Sequence, residues 1–192
     1  MLNKANYLKM SSMERLWNTS FVHQIKQGAY NSAPVEAIVR SVSHHFRAKG
    51  YTIDDRRKLK FLEVGCGAGA NLSWLAEQGV RISGIDISQE ALSLCRKVLK
   101  HKGLGKSIDT LDHGTASDVA YPDEHFDGII ESCVFQHLPR ELRIKAFSEV
   151  VRLLKPGGLF IGHMLSRKHS TYKDQVNNMI QKEPGTLFLV RE

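Results

Sequence analysis

Phe61-Leu-Glu-Val-Gly-Cys-Gly-Ala-Gly-Ala70 is the stretch from which the fold of this chain is read. A short apolar run passes directly into glycines at 65, 67 and 69, and a helical pattern follows at once. Glycine turns the backbone with positive φ and leaves no Cβ between the chain and a ligand. A buried strand ending in such a turn, with a helix N-terminus behind it, cradles nucleotides. The next apolar run closes on Asp86, in Gly84-Ile-Asp-Ile-Ser88. An acid about 20 residues past the glycines is where a ribose-binding carboxylate belongs. The loop therefore points to an adenosine-containing cofactor.

The flanking pattern extends this unit. The spacing predicts strands over 60–64, 80–85, 107–111, 126–131 and 157–165, the last after the turn Lys155-Pro-Gly-Gly158. Between them lie a helix over 71–78, one capped by Ser88 and ended by Gly103, and one over 139–154. Strands interleaved with helices of this length give an α/β fold, a Rossmann-like, doubly wound, mostly parallel sheet with helices on both faces. Upstream, Ser11-Ser12-Met-Glu14 reads as a helix start, and that helix runs to Gln27. After a linker from Gly28, Pro34 opens a second helix carrying Ile38, Val42 and Phe46, and 52–57 reads as a polar surface connection. Residues 1–58 are thus expected to form a helical cap segment and 59–192 the core, within one domain. Past the fifth strand the pattern offers a helix over 172–181 and one short strand over 186–190, with no partner strand after it. An incomplete sheet edge is expected there, covered by oligomerisation such as a homodimer, because an open apolar edge invites pairing.

Composition sets broad limits. The 192 residues are 42% hydrophobic and 24% charged, ordinary values for a globular domain. No run approaches the roughly 20 apolar residues of a membrane span, so no membrane partner is expected. The formal charge of +7 comes from 27 Lys and Arg against 20 Asp and Glu. Its carriers are scattered, apart from Arg56, Arg57, Lys58 and Lys60, and read as a solvated surface rather than a nucleic-acid site. Cys66, Cys95 and Cys133 are odd in number and far apart, which argues against a disulfide framework or a zinc site and for a reducing cytoplasm. No metal is expected.

Two cofactors fit a strand, glycine turn and helix with a downstream acid. Gly65-x-Gly67-x-x-Ala70 satisfies the loose dinucleotide pattern, and S-adenosylmethionine is the other candidate. Glu63 separates them, because a carboxylate at the strand end attracts a cationic amino-acid moiety and repels a pyrophosphate. The chain also contains no Tyr-x-x-x-Lys pair of the kind small reductases use.

With these residues in view, the chain resembles the class I S-adenosylmethionine-dependent methyltransferases that act on small molecules. Glu63-Val-Gly-Cys-Gly-Ala-Gly69 resembles the family's first motif and Gly84-Ile-Asp-Ile-Ser88 its second. Tyr121-Pro-Asp-Glu-His-Phe-Asp127 and Leu154-Lys-Pro-Gly-Gly158 resemble the segments leading into its fourth and fifth strands. The resemblance implies that Gly65, Cys66, Gly67 and Gly69 pass close to the cofactor and that Glu63 lies near its ammonium group. It implies that Asp86 accepts hydrogen bonds from the ribose hydroxyls and that Ile87 packs on the adenine. Where the family often has an acid facing the adenine amine, Thr115 stands here. Asp118, or Thr115 and Ala116 through hydroxyl and backbone, are the substitutes.

Methyl transfer from a sulfonium is driven by the cofactor, so the protein must align a nucleophile, exclude water and remove a proton where needed. After the fourth strand, Glu131-Ser-Cys-Val-Phe-Gln-His-Leu138 is expected to face the methyl group. His137 is the candidate base, and Glu131 a candidate to orient acceptor or cofactor. His163, Trp17 and Tyr30 are candidates for the acceptor side. The expected activity is methyl transfer to an O or N atom of a small molecule. Competing readings are an RNA or protein methyltransferase, a non-catalytic cofactor-binding protein and, more distantly, a dehydrogenase.

Overall fold

The computed structural model describes residues 4–165, 179–180 and 188–189, with side chains described over 12–165. The first helix, α1 (Lys4–Gln27), begins earlier than its serine pair suggested, so Ser11 and Ser12 lie within it. The next, α2 (Glu36–Ala48), buries Ile38, Val42 and Phe46, four residues apart on one face. Where a plain surface connection was expected, residues 53–56 form the single turn α3 (Ile53–Arg56). A reciprocal cap causes it: the Asp55 amide donates to Thr52 Oγ1 at 3.2 Å, and the Thr52 amide donates to the Asp55 carboxylate at 3.0 Å.

The core then alternates as expected: β1 (Lys60–Val64), α4 (Ala70–Glu77), β2 (Arg81–Asp86), α5 (Gln89–His101), β3 (Ile108–His113), β4 (Phe126–Ser132), α6 (Arg140–Leu153) and β5 (Leu154–His163). The strands form one sheet in the order β3-β2-β1-β4-β5, every neighbouring pair parallel. Two apolar clusters pack it. One joins Ile38, Phe46, Leu72, Leu92 and Leu99 of the helices to Phe61, Ile82 and Ile130 of the strands. The other joins Met13, Phe135, Leu142, Ala146 and Leu153 to Leu62, Val64 and Ile129. The helices thus cover both faces, and the second helix is part of the core. The chain reverses its direction of travel across the sheet between β1 and β4, and ligands of such sheets bind at the carboxyl ends beside that point.

Two details differ from the sequence pattern. The turn at 155–158 lies inside β5: pairing starts at Phe126↔Leu154 and resumes at Gly128↔Leu159, with Gly157 at φ +76° between. At the C-terminal end, β6 (Met179–Ile180) pairs antiparallel with β7 (Phe188–Leu189). The last strand therefore has a partner, which precedes it, and residues 179–180 are strand rather than helix. The remainder of the helix expected over 172–181 lies outside the described residues. The pair forms its own two-stranded sheet and, among the described strands, does not join β5.

Candidate cofactor and acceptor site

The carboxyl ends of β1, β2 and β4 enclose two adjoining cavities, of about 260 and 130 Å³. Both are lined by Gly65, Gly67, Ser132 and Phe21. The glycine loop runs along both, and its turns are tight. Gly65 sits at φ +70°, and a Cβ there would come within 2.2 Å of Val134 Cγ2. Gly69 sits at φ +81°, where a Cβ would come within 2.5 Å of Cys95 Sγ in α5. Gly69 therefore seats the start of α4 against α5 and lines neither cavity.

Glu63 lines the smaller cavity although it is only 2% exposed. Asn71 Nδ2 donates to its Oε1 at 2.7 Å, while Oε2 is buried without a hydrogen-bond partner. The Leu72 amide lies near the carboxylate without completing a bond to it. Loss of water dominates, and it pushes the Glu63 carboxyl up to about 8 from its ordinary 4.5. Asn71 is itself anchored, since the Val35 amide donates to its Oδ1 at 2.8 Å. Sequence reasoning missed Asn71. A polar residue in the first turn of the helix behind a glycine loop was the available signal.

Asp86 lines the larger cavity with Ile87. The Gly67 amide donates to Asp86 Oδ2 and the Ser88 amide to Oδ1, each at 2.8 Å. Burial raises this carboxyl and the two amides pull it back. Beyond it, Thr115, Ala116 and Ser117 line the same wall, with Thr115 Oγ1 3.3 Å from Ser117 Oγ. Asp118 is exposed and does not line the cavity, so the acid expected to stand in at this wall is replaced by two hydroxyls. Cys66 lines the smaller cavity, and the neighbouring Cys95 thiol together with burial holds its own thiol well above the ordinary range.

The loop after β4 brings Ser132, Cys133, Val134 and His137 to the larger cavity. Cys133 holds φ +59°, a left-handed conformation for a residue with a side chain, which costs about 1–3 kcal/mol and persists only where the surroundings impose it. Glu131 imposes it from below. Its side chain is fully buried, and its Oε2 accepts from the Val134 and Phe135 amides, both at 3.1 Å. Glu131 lines neither cavity and sits beneath the loop that does. One oxygen of its buried carboxylate serves the turn, while Oε1 is buried without a hydrogen-bond partner.

His137 closes the short 3₁₀ turn Phe135–His137, and its ring meets that of Trp17 edge-on at 5.3 Å. Met13, Trp17 and Phe21, four residues apart along α1, roof the larger cavity. His163 lines neither cavity, but its Nδ1 lies 3.4 Å from Ser132 Oγ and 3.7 Å from Cys133 Sγ. Tyr30 also lines neither cavity. The arrangement offers a carboxylate facing each cavity, a glycine passage between them, and an imidazole beside aromatic walls.

Residues 62–162 match a family model described as Methyltransferase domain. The Ubiquinone biosynthesis O-methyltransferase of Thiobacillus denitrificans is 35% identical over 125 residues, which is 62% of this chain and 51% of that protein. The Fatty-acid O-methyltransferase of Mycolicibacterium smegmatis is 30% identical over 120 residues, covering 62% of this chain and 40% of that protein. The solved YcgJ protein of Bacillus subtilis superposes with a TM-score of 0.54 at 25% identity, covering 70% of this chain and 56% of its own. The chain thus spans about half, or less, of the length of the curated relatives it matches.

Proposed function

Because this chain belongs to the methyltransferase domain family, we propose that it binds S-adenosylmethionine across the glycine loop and transfers its methyl group to an oxygen or nitrogen of a small molecule. One observation carries the reading: Glu63 offers a buried carboxylate oxygen without a partner at the wall of the smaller cavity. An ammonium group supplies the missing donor there and returns the carboxyl to its ionised form. A dinucleotide pyrophosphate would instead be pressed between Glu63 and Asp86. The ribose hydroxyls donate to the cavity side of Asp86, whose carboxylate its two amide partners already aim. Ile87, Ala116 and Leu138 form an apolar slot for the base, with Thr115 and Ser117 at its edge.

When bound, the sulfonium supplies an electrophilic methyl carbon. The chain's part is to exclude water with Met13, Trp17 and Phe21 and to take the acceptor's proton at His137. Glu131 acts as a positioning residue that shapes the loop carrying Cys133 and His137, and His163 orients Ser132. The O-methyl direction is favoured because two of the relatives are named for oxygen methylation. A homodimer through the β5 edge fits the exposed Phe147, whose ring meets that of Phe160 in β5, and Met164 just past that strand; light scattering at the monomer mass would remove it. Three free cysteines fit a cytoplasmic protein; efficient export of the tagged chain from cells would oppose that location.

The test is calorimetry with S-adenosylhomocysteine, followed by product release from a panel of phenols, fatty acids and amines. Asp86→Ala is expected to weaken binding by about 1–3 kcal/mol, the scale of lost charge-assisted bonds. Affinity for NADH with none for S-adenosylhomocysteine would overturn the reading. Tight binding with no turnover on any acceptor would reduce it to cofactor binding alone.

A further inference from the structure

Phe21 stands where the two cavities meet. It lines both, together with Gly65, Gly67 and Ser132. Its Cζ is 3.3 Å from the point a Cβ on Gly67 would occupy, so the ring rests on that glycine. A ligand reaching from Asp86 to Glu63 must run along the glycine loop and over Gly67. It meets the space this ring fills.

The ring belongs to α1 rather than to the sheet and lies outside both apolar clusters, although Met13 of the same helix is part of one. Polar groups in the middle of α1 hold the helix down. Asn18 Oδ1 accepts from Ser88 Oγ at 2.7 Å and from the Glu90 amide at 3.4 Å. Glu14 Oε1 pairs with His113 Nε2 at 3.2 Å, both side chains about two-fifths exposed. Solvent screens such a pair, so it is a weak clamp. At the far end, Gly28 turns the chain at φ +63° with nothing within 4 Å of where its Cβ would lie.

We propose that Phe21 is a gate: resting on Gly67 it keeps the cofactor site as two separate halves, and binding of the whole cofactor displaces the ring, with α1 moving to release it. This rests on the S-adenosylmethionine reading above. A ligand confined to the larger cavity needs no displacement, whereas one spanning both binds only the fraction of molecules in which the ring has left.

Adenosine and S-adenosylhomocysteine separate the two cases. Stopped-flow association of each is measured with the unaltered chain, Phe21→Ala and Phe21→Leu. The alanine variant is expected to speed S-adenosylhomocysteine association by about tenfold and adenosine association, whose site Phe21 also lines, much less, with leucine between. The adenosine signal also reports that each variant is folded. Equal changes for both ligands, or an unchanged or slower S-adenosylhomocysteine rate, would overturn the gate while leaving the cofactor assignment in place. If neither ligand binds the unaltered chain, the cofactor assignment falls and the gate falls with it.

Discussion

Glu63 combines a cost to the empty fold with the role proposed for it in the bound one. Its buried carboxyl ionises near pH 8 in the folded chain, against an ordinary value of 4.5. Folding therefore favours the protonated form. The stability this group contributes is complete below about 4.5 and is lost as pH rises toward 8. Glu63→Gln keeps an oxygen for Asn71 and cannot ionise. Thermal melts of the ligand-free variant should equal the parent near pH 4.5 and exceed it at pH 8 to 9. The same change should weaken S-adenosylhomocysteine binding, the familiar opposition of stability and function. Binding at pH 7 should release close to one proton in the parent and none in the variant, read by calorimetry in buffers of different ionisation enthalpy. A parent that releases no proton would show that no cation meets this carboxylate. The sequence made Glu63 and Asp86 legible because each ends a strand beside a loop of known chemistry. Thr115 was legible as a departure, but Ser117 was not, since alternation alone does not tell which of two neighbouring hydroxyls turns inward.

At the scale of elements, the glycine loop and the β4 loop are fitted to each other. Val134 occupies the space that a side chain on residue 65 would need, and Gly65 holds positive φ. Gly65→Ala thus combines a clash with a strained backbone and should cost about 1–3 kcal/mol in chemical denaturation. A neutral result would mean that the two loops move independently. Beneath them, Glu131 accepts two amides of the turn. Glu131→Ala should lose about 1–3 kcal/mol of stability and weaken ligand binding. Glu131→Gln should retain both, because one amide oxygen can still accept. If the glutamine variant folds and binds ligand yet loses all turnover, the carboxylate acts in the chemistry rather than in the turn. Sequence pattern located β4 and the residues after it but not this division of labour. A carboxylate at a strand end reads the same whether it faces a cavity or a turn. The one-turn α3 was hidden for a related reason, since four residues are too few for a periodic signal and its cap alone reveals it.

For the whole molecule, the alternating pattern from 60 to 163 was enough to give the sheet, because parallel strands buried on both faces must be joined by covering helices. What periodicity did not give is how α1 lies. Its stripe of Met13, Trp17 and Phe21 is compatible with any apolar surface, and only tertiary contacts place it over the cavities. The +7 charge sits apart from this site, where the charges that matter are the carboxylates of Glu63 and Asp86. Removing the proposed base separates binding from chemistry: His137→Gln should lower kcat by about 10²–10⁴-fold with cofactor affinity little changed. Equal loss of both would make His137 a wall of the cofactor site instead. The central assignment, one sulfonium nucleoside lying across both cavities, is tested most directly by a crystal structure of the chain grown with S-adenosylhomocysteine. The account predicts its ribose hydroxyls on Asp86 and its ammonium group on Glu63 Oε2. Density for the ligand elsewhere, or with the ammonium group pointing away from Glu63, would contradict it.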